Sequence, residues 1–460
     1  MSDAQTKPNI LLFFTDQQRW DTCGCYGQRL ETTPNLDRLA AEGVRFENTF
    51  TCQPVCGPAR ACLQTGLWAT QIGCYRNGVA LPQDAKTIAH WLTETGYDVG
   101  YVGKWHLASG RFGTYYTGRL REDSRLDYQT KPIPPELRGG YKDFWIASDV
   151  LEFTSHGYDG HMFDADGRTR EFPEGRYRAD AQTDFVLEFL RSRAGQQRPF
   201  FFMTSYIEPH HQNDHQHHEG PHGSKERFAE FDVPGDLADT EGNWREEYPD
   251  YLGCIHALDK NLGRIRDELE RLGLAENTLI LFTSDHGSHF RTRNQEYKRS
   301  CHDGCVRLPL VVHGPGFRGG RVIEELVSLL DLPPTLLTAG GVEVPSYMGG
   351  RALQPLADGT AEGWPEEVFL QISESHCGRA IRTRRWKYSV RAPEGAARFD
   401  TMDSDVYVED FLYDLDADPH ERNNLIADPA HATTRADLAA VLKRRMIDAG
   451  EREPEIRPSG

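Results

Sequence analysis

At 460 residues the chain is longer than one ordinary hydrophobic core supports, so two domains are expected. A net charge of −18 argues against nucleic acid or an anionic membrane surface as partner, so an anionic substrate would have to be met by local positive charge. Ten cysteines, with a polar stretch Met1–Asn9 and no secretory leader or apolar span of about 18 residues, read as reduced thiols and predict a cytoplasmic protein.

Short apolar runs alternate with longer amphipathic ones. Strands are predicted at Asn9–Phe14, Tyr97–Gly103, Phe200–Ser205, Thr278–Ser284 and Leu308–His313. Helices are predicted at Pro34–Glu42, Ala85–Thr95, Thr183–Ala194, Tyr248–Leu272 and Leu332–Ala339. This alternation predicts an α/β fold: a large, mostly parallel sheet covered by helices, with its active site at the carboxyl ends of the strands. Residues 107–180 and 210–247 are rich in Gly, Pro, His and Arg and read as insertions in a catalytic domain spanning 1–363. From about Trp364 the runs Val368–Ile372, Arg385–Val390 and Phe411–Leu415 predict a smaller α+β domain, 364–460, with an antiparallel sheet and a helix from Thr434 to Ala449.

The most informative segment is Cys56-Gly57-Pro58-Ala59-Arg60-Ala61-Cys62-Leu63-Gln64-Thr65, followed by Gly66. Pro58 suits the first position of a helix, which puts Cys56 just outside the helix N-terminus, where free amides favour an oxyanion. Arg60 lies one turn on, within reach of a bound anion. Counted from Cys52, the arginine slot is filled by Cys56, so Cys52 does not fit the pattern. The segment resembles the signature of the type I sulfatases, in the alkaline phosphatase superfamily. The resemblance implies that a formylglycine-generating enzyme or an anaerobic maturase oxidises Cys56 to formylglycine. In that family one hydroxyl of the hydrated aldehyde attacks sulfur, and the other then expels sulfate.

The strand ends Thr15-Asp16-Gln17 and Ser284-Asp285-His286 are similar to the family's cation site. The resemblance assigns Asp16, Gln17, Asp285, His286 and modified Cys56 as ligands. Oxygen donors favour Ca²⁺; the histidine and the neutral Gln17, which depart from the commonest family pattern, shift the balance toward Mn²⁺ or Zn²⁺. Gly103-Lys104-Trp105-His106 resembles the segment whose Lys and His contact sulfate. Pro209-His210 and Lys298 resemble the pair that assists the leaving group. Asn77, in Arg76-Asn77-Gly78, is a further candidate for contacting sulfate.

Two more readings bear on function. A phosphonate monoester or phosphodiester hydrolase shares the formylglycine and an Asp-Gln/Asp-His cation set, but Lys104 and His106 favour a sulfatase. A catalytically dead binder of sulfated ligands would keep Cys56 unmodified. Specificity is expected from rim residues His211, Gln212, Asn213, Arg293, Asn294 and His302, with His376 and Arg379 from the second domain. So many donors beside few aromatics suit a carbohydrate sulfate better than an aryl sulfate. The His-rich run 210–218 fits no closed zinc pattern and reads as a hydrophilic loop. A homo-oligomer is compatible with all of this.

Overall fold

A computed structural model describes residues 7–110, 114–116, 119–121, 126–393, 395 and 401–459. The first six residues of the expected polar lead-in lie outside the described residues.

Strands follow the chain as β1 Asn9–Thr15, β2 Val44–Phe50, β3 Asp98–Lys104, β4 Thr114–Tyr116, β5 Arg119–Arg121, β6 Phe144–Ser148, β7 His161–Asp164, β8 Thr169–Glu171, β9 Phe200–Ser205, β10 Thr278–Ser284, β11 Arg307–Leu308, β12 Leu310–His313 and β13 Arg321–Ser328. Apart from the small β4–β5 pair they form one sheet in the order β11-β2-β12-β10-β1-β9-β3-β6-β7-β8, with β13 beside β2. The centre, β10-β1-β9-β3-β6, is parallel. The margins β12, β7 and β8 run antiparallel, so the parallel part is narrower than the sequence suggests.

β1 is buried along its whole length, as its unbroken apolar run requires of a strand covered on both faces. Leu11 and Phe13 pack under the helices Arg178–Ser192 and Trp244–Arg271. Ile10, Leu12 and Phe14 face the helices Cys56–Thr65 and Ile88–Glu94. Register carries the argument toward function. Thr15 pairs with Ser284, Phe14 with Ser205 and Gly103 with Ser205, so Asp16, Asp285 and Lys104 emerge at one edge.

Two predictions need correction. The segment 107–180 is not wholly an insertion, because β6 adds directly to β3 in the core sheet; its five residues are too short to stand out from Gly- and Pro-rich surroundings. β2 was not predicted because its sequence Val-Arg-Phe-Glu-Asn-Thr-Phe is half polar, and it is placed by pairing with β12 and β13.

The second sheet comprises β14 Glu367–Ile372, β15 Gly378–Thr383, β16 Trp386–Arg391, β17 Val406–Asp414 and β18 Glu455–Arg457. It is antiparallel except for β18, which runs parallel to β17. The helix Ala432–Asp448 packs on it. Val368, Leu370 and Ile372 join a core with Phe50, Val306 and Leu326 of the first part of the chain. A buried ionic cluster adds to this seam: Lys387 on β16 pairs with Asp303 and Glu421, and Arg382 with Asp303. Removing the central cation leaves buried Glu421 without its charge partner and Asp303 with Arg382 alone, so Lys387→Met is expected to destabilise the protein by about 3–5 kcal/mol. Denaturant unfolding of both proteins measures the difference, and an unchanged midpoint would contradict a structural role for the cluster.

Candidate active site

The helix Cys56–Thr65 begins two residues earlier than expected, with Cys56 itself in the first turn and Val55 as its cap. All ten of its residues are buried. The amide of Gly57 donates to Asn77 Oδ1 at 2.9 Å, which fixes the open end of the helix.

Cys56 Sγ sits in a ring of charge. It lies 3.4 Å from Asp16 Oδ1 and 3.2 Å from His286 Nε2, and accepts a hydrogen bond from Lys298 Nζ at 2.8 Å. Asp16, Cys56, Asp285 and His286 each place a donor atom within 4.8 Å of the others, all fully buried. His286 donates Nδ1–H to the Gly287 carbonyl at 2.8 Å, which leaves the Nε2 lone pair facing the ring. Two carboxylates, an imidazole nitrogen and the Cys56 position suit a divalent cation. Gln17 stands beside them, but its Oε1 accepts from the His211 amide at 3.4 Å and its Nε2 donates to Ser288 Oγ at 3.3 Å.

The carboxylates are held from below. Arg60 donates to Asp16 Oδ2 at 2.9 Å, Asp285 Oδ2 at 3.3 Å, Ser205 Oγ at 2.6 Å and the Lys104 carbonyl at 3.0 Å. Both its terminal nitrogens are thus engaged inside the protein, and Arg60 does not line the cleft; its place is to position the acids rather than to touch an ester. Lys104 Nζ donates to Asp16 Oδ2 at 2.7 Å.

These charges set the proton affinities. Burial and the Cys56 sulfur would raise Asp16, but Lys104, His210 and Arg60 outweigh them and hold it well below the usual carboxylate range. Burial and the neighbouring Asp16 push Asp285 up. Burial would raise the Cys56 thiol, yet Lys104, Lys298 and His286 bring it well below its ordinary value. The reciprocal effect, Cys56 acting against burial, lifts Lys298 above its ordinary value.

Above the ring opens a cleft of about 390 Å³. Cys56, Asn77, Lys104, His106, His210, Asn213 and Lys298 all line it, as the sequence predicts. His210 Nε2 lies 3.3 Å from Lys298 Nζ and 3.4 Å from Tyr297 Oη, while its Nδ1 donates to the His211 carbonyl at 2.7 Å. Several residues held in the left-handed region cluster here: Gln17, His106, Arg299 and Glu374 have φ of 69°, 60°, 70° and 68°. Such conformations cost energy and concentrate at functional sites.

Seven predicted rim residues do not line the cleft, because their polar groups are spent internally or buried behind its wall. Arg293 donates to the carbonyls of His420 and Glu421, and Asn294 to those of Lys298 and Arg299. His302 is buried against Tyr413. Arg379 lies on β15, a strand the sequence reading missed, and pairs with Glu451 at 2.8 Å. His376 is bonded to Ser375. His211 stacks on Tyr297 behind the wall, and burial and the adjacent His210 bring its imidazole down to about 4. Gln212 is likewise buried, donating to the Glu152 carbonyl at 3.1 Å. Sequence reasoning missed Glu152, Tyr297, Arg299 and Glu374 in the lining. Tyr297 and Arg299 flank Lys298 and were within reach of a neighbour argument; Glu152 and Glu374 carry no local signal.

The family model described as Sulfatase matches residues 8–342. The chain belongs to the sulfatase family. A second model, N-sulphoglucosamine sulphohydrolase, C-terminal, matches residues 295–448. An ulvan-active sulfatase of Formosa agariphila is 28% identical over 98% of this chain and 83% of its own length. The solved structure of yidJ from Bacteroides fragilis, described as a sulfatase, superposes with a TM-score of 0.79 at 25% identity, covering 98% of each chain. The phosphonate monoester hydrolase of Agrobacterium radiobacter gives 0.71 at 25% identity, covering 96% of each. The protein is therefore a sulfatase-family enzyme on an alkaline-phosphatase-type α/β fold.

The depressed Cys56 thiol makes a prediction for unconverted protein. A thiol whose folded value is lowered ionises at lower pH, so its alkylation by iodoacetamide should rise less steeply between about pH 7 and 9 than that of an unperturbed thiol. Lys298→Ala removes one of the depressing cations and is expected to make the rise steeper. Peptide mass mapping of Cys56 reads the rate; an ordinary rise in wild type would contradict the electrostatic account.

Proposed function

We propose that this sulfatase cleaves a carbohydrate sulfate monoester with a nucleophile derived from Cys56 beside a divalent cation, Ca²⁺ first and Mn²⁺ or Zn²⁺ as alternatives. The observation that carries the reading is the position of Cys56: a buried helix N-terminus delivers it to the cleft floor among Asp16, Asp285, His286 and Lys298. The cation would be held by Asp16, Asp285, His286 and the Cys56 side chain, with Gln17 adjacent. When bound, it neutralises the paired carboxylates and polarises a sulfate oxygen. The formylglycine made from Cys56 would supply a hydrated aldehyde as nucleophile.

The chain's own residues do the rest. Lys104 and His106 flank the sulfate, Asn77 orients it from the helix end, and Arg60 keeps the two acids in place. His210, next to Lys298, stands where a proton can pass to the departing oxygen. Hydroxyl recognition falls to Asn213, Glu152 and the Arg299–Glu374 pair, which suits a sugar. That the Formosa relative is named for activity on ulvan supports a saccharide substrate. The ten free cysteines support the cytoplasm as its compartment. Among the described residues no helix is long and apolar enough to cross a membrane.

A phosphonate monoester is the second reading, favoured by the Asp-Gln and Asp-His strand ends and by the Agrobacterium neighbour. Lys104 and Lys298 line the cleft and favour instead a sulfate monoester, whose single charge is shared by three terminal oxygens, over a phosphonate monoester, where it lies on two beside a second substituent.

Intact mass and turnover test the nucleophile together. The active protein should be about 18 Da lighter than its encoded mass, from replacing CH₂SH by CHO. Cys56→Ala should abolish turnover with the fold intact, and Cys56→Ser should stop after at most one turnover, since a serine has no second hydroxyl to expel sulfate. Sulfate ester turnover by protein of full encoded mass would overturn the reading. Preference for phosphonate over sulfate esters would select the alternative.

A leaving-group series tests His210. His210→Ala is expected to slow a sugar sulfate by about 10²–10⁴-fold while costing nitrophenyl sulfate much less, because nitrophenolate departs without a proton. Equal losses on both substrates would assign His210 to binding alone.

A further inference from the structure

We propose that Phe153 is a specificity residue, an aromatic platform in the cleft on which the pyranose ring of the sulfate ester lies; the inference rests on the carbohydrate reading above. Phe153 lines the cleft, yet 48% of it is exposed. Of the five exposed large hydrophobic side chains among the described residues, it alone lines this cleft. Scattered apolar side chains on a surface need no explanation, but one set into the lining of a ligand cleft does. Nothing local announces it, because Val150-Leu151-Glu152-Phe153 reads in sequence as part of a core.

The loop is built to turn this one side chain outward. Leu151, Glu152, Thr154 and Ser155 are all buried around it. Leu151 has a φ of 66°, in the left-handed region, and the turn is closed by the Thr154 amide donating to the Leu151 carbonyl at 3.1 Å. Thr154 Oγ1 donates to Ser148 Oγ at the end of β6 at 2.9 Å, and Ser155 Oγ to the Leu151 carbonyl at 2.8 Å. The Glu152 carboxylate accepts from Asn213 Nδ2 at 3.1 and 3.2 Å. A strained backbone held by several independent bonds is typical of a functional position, and a loop already in place loses little freedom when a ligand lands on it.

Val150 and Phe153 put an apolar stretch into a lining that is otherwise mostly polar or charged. A pyranose has the matching construction, with hydroxyls round its edge and C–H groups on its faces. Those C–H groups carry slight positive charge and suit the negative face of an aromatic ring. The hydroxyls would then meet the polar remainder of the lining, Gln129, Arg299 and Glu374. Lys104 and Lys298 are buried at the floor, so a sulfate held between them leaves its sugar nearer the solvent, where Phe153 is exposed.

Steady-state kinetics of the active enzyme on glucose, galactose and N-acetylglucosamine monosulfates, with inorganic sulfate as inhibitor, test the platform. Phe153→Ala is expected to raise KM for the sugar ester that wild type cleaves best by about 5–10-fold, the effect of losing cover for half a phenyl side chain. Turnover at saturation should be nearly unchanged, because the ring meets ground state and transition state alike. Inhibition by inorganic sulfate, which fills the floor alone, should stay as in wild type. Phe153→Tyr keeps the ring face and should keep the wild-type KM. The unfolding midpoint should be the same in all three proteins, since a half-exposed ring adds little to the core. An unchanged KM in Phe153→Ala, an equal weakening of inorganic sulfate, or a larger loss on choline sulfate than on the sugar ester would each overturn the proposal, the last by assigning the ring to a quaternary ammonium. Wild type that cleaves aryl or phosphonate esters and none of the sugar sulfates would instead overturn the carbohydrate reading, and the platform with it.

Discussion

Two carboxylates from the ends of adjacent parallel strands, Asp16 and Asp285, share one buried pocket, and much of the site's architecture answers that constraint. Buried like charges are costly unless compensated in place. Arg60 meets both acids at once, and because it lies one turn after Cys56 on a wholly buried helix, its bonds also fix the roll of that helix. Cys56 is thereby delivered to the cleft floor. Lys104 arrives on β3 two strands away, Lys298 from the loop after β10, and His286 directly behind Asp285. The positions of Cys56, of Asp16, Asp285 and His286, and of the two lysines are thus consequences of one electrostatic arrangement.

The second sheet reaches this centre by hydrogen bonds rather than by bulk. Glu374, just after β14, accepts the amide of Asn77 at 2.6 Å, and Asn77 in turn accepts from Gly57 at the start of the helix Cys56–Thr65. Glu374 also pairs with Arg299 at 2.5 Å, next to Lys298. The Asp303–Lys387–Glu421 cluster anchors the same sheet at a distance from the cleft. One short turn therefore gives the C-terminal part a place in the cleft wall, while the arginine and histidine nearest to it in sequence, Arg379 and His376, serve that part's own packing.

The wall facing Glu374 is built differently. Glu152 accepts from Asn213 Nδ2 at 3.1 and 3.2 Å, and Tyr297 donates to the same amide's oxygen at 2.9 Å. This network holds His210 between the Glu152 carboxylate and Lys298.

The sequence by itself determined which charged residues gather at the cleft floor. Strand ends carrying Asp16, Asp285 and Lys104, and the Cys56–Arg60 spacing, are local patterns, and local patterns survive in one dimension. It also determined the buried parallel strands, whose apolar runs β1, β9 and β10 are continuous. Only the tertiary structure decided the rest of the sheet, since β2 and β6 are too polar or too short to declare themselves before they find partners. Only it separated cleft residues from packing residues. Arg293, His302 and Arg379 have the right chemistry in the right neighbourhood, but their hydrogen bonds were already taken by groups distant in sequence. Glu152, Phe153 and Glu374 enter the cleft for the same reason: long-range pairing brings together side chains whose separation along the chain carries no trace of their contact.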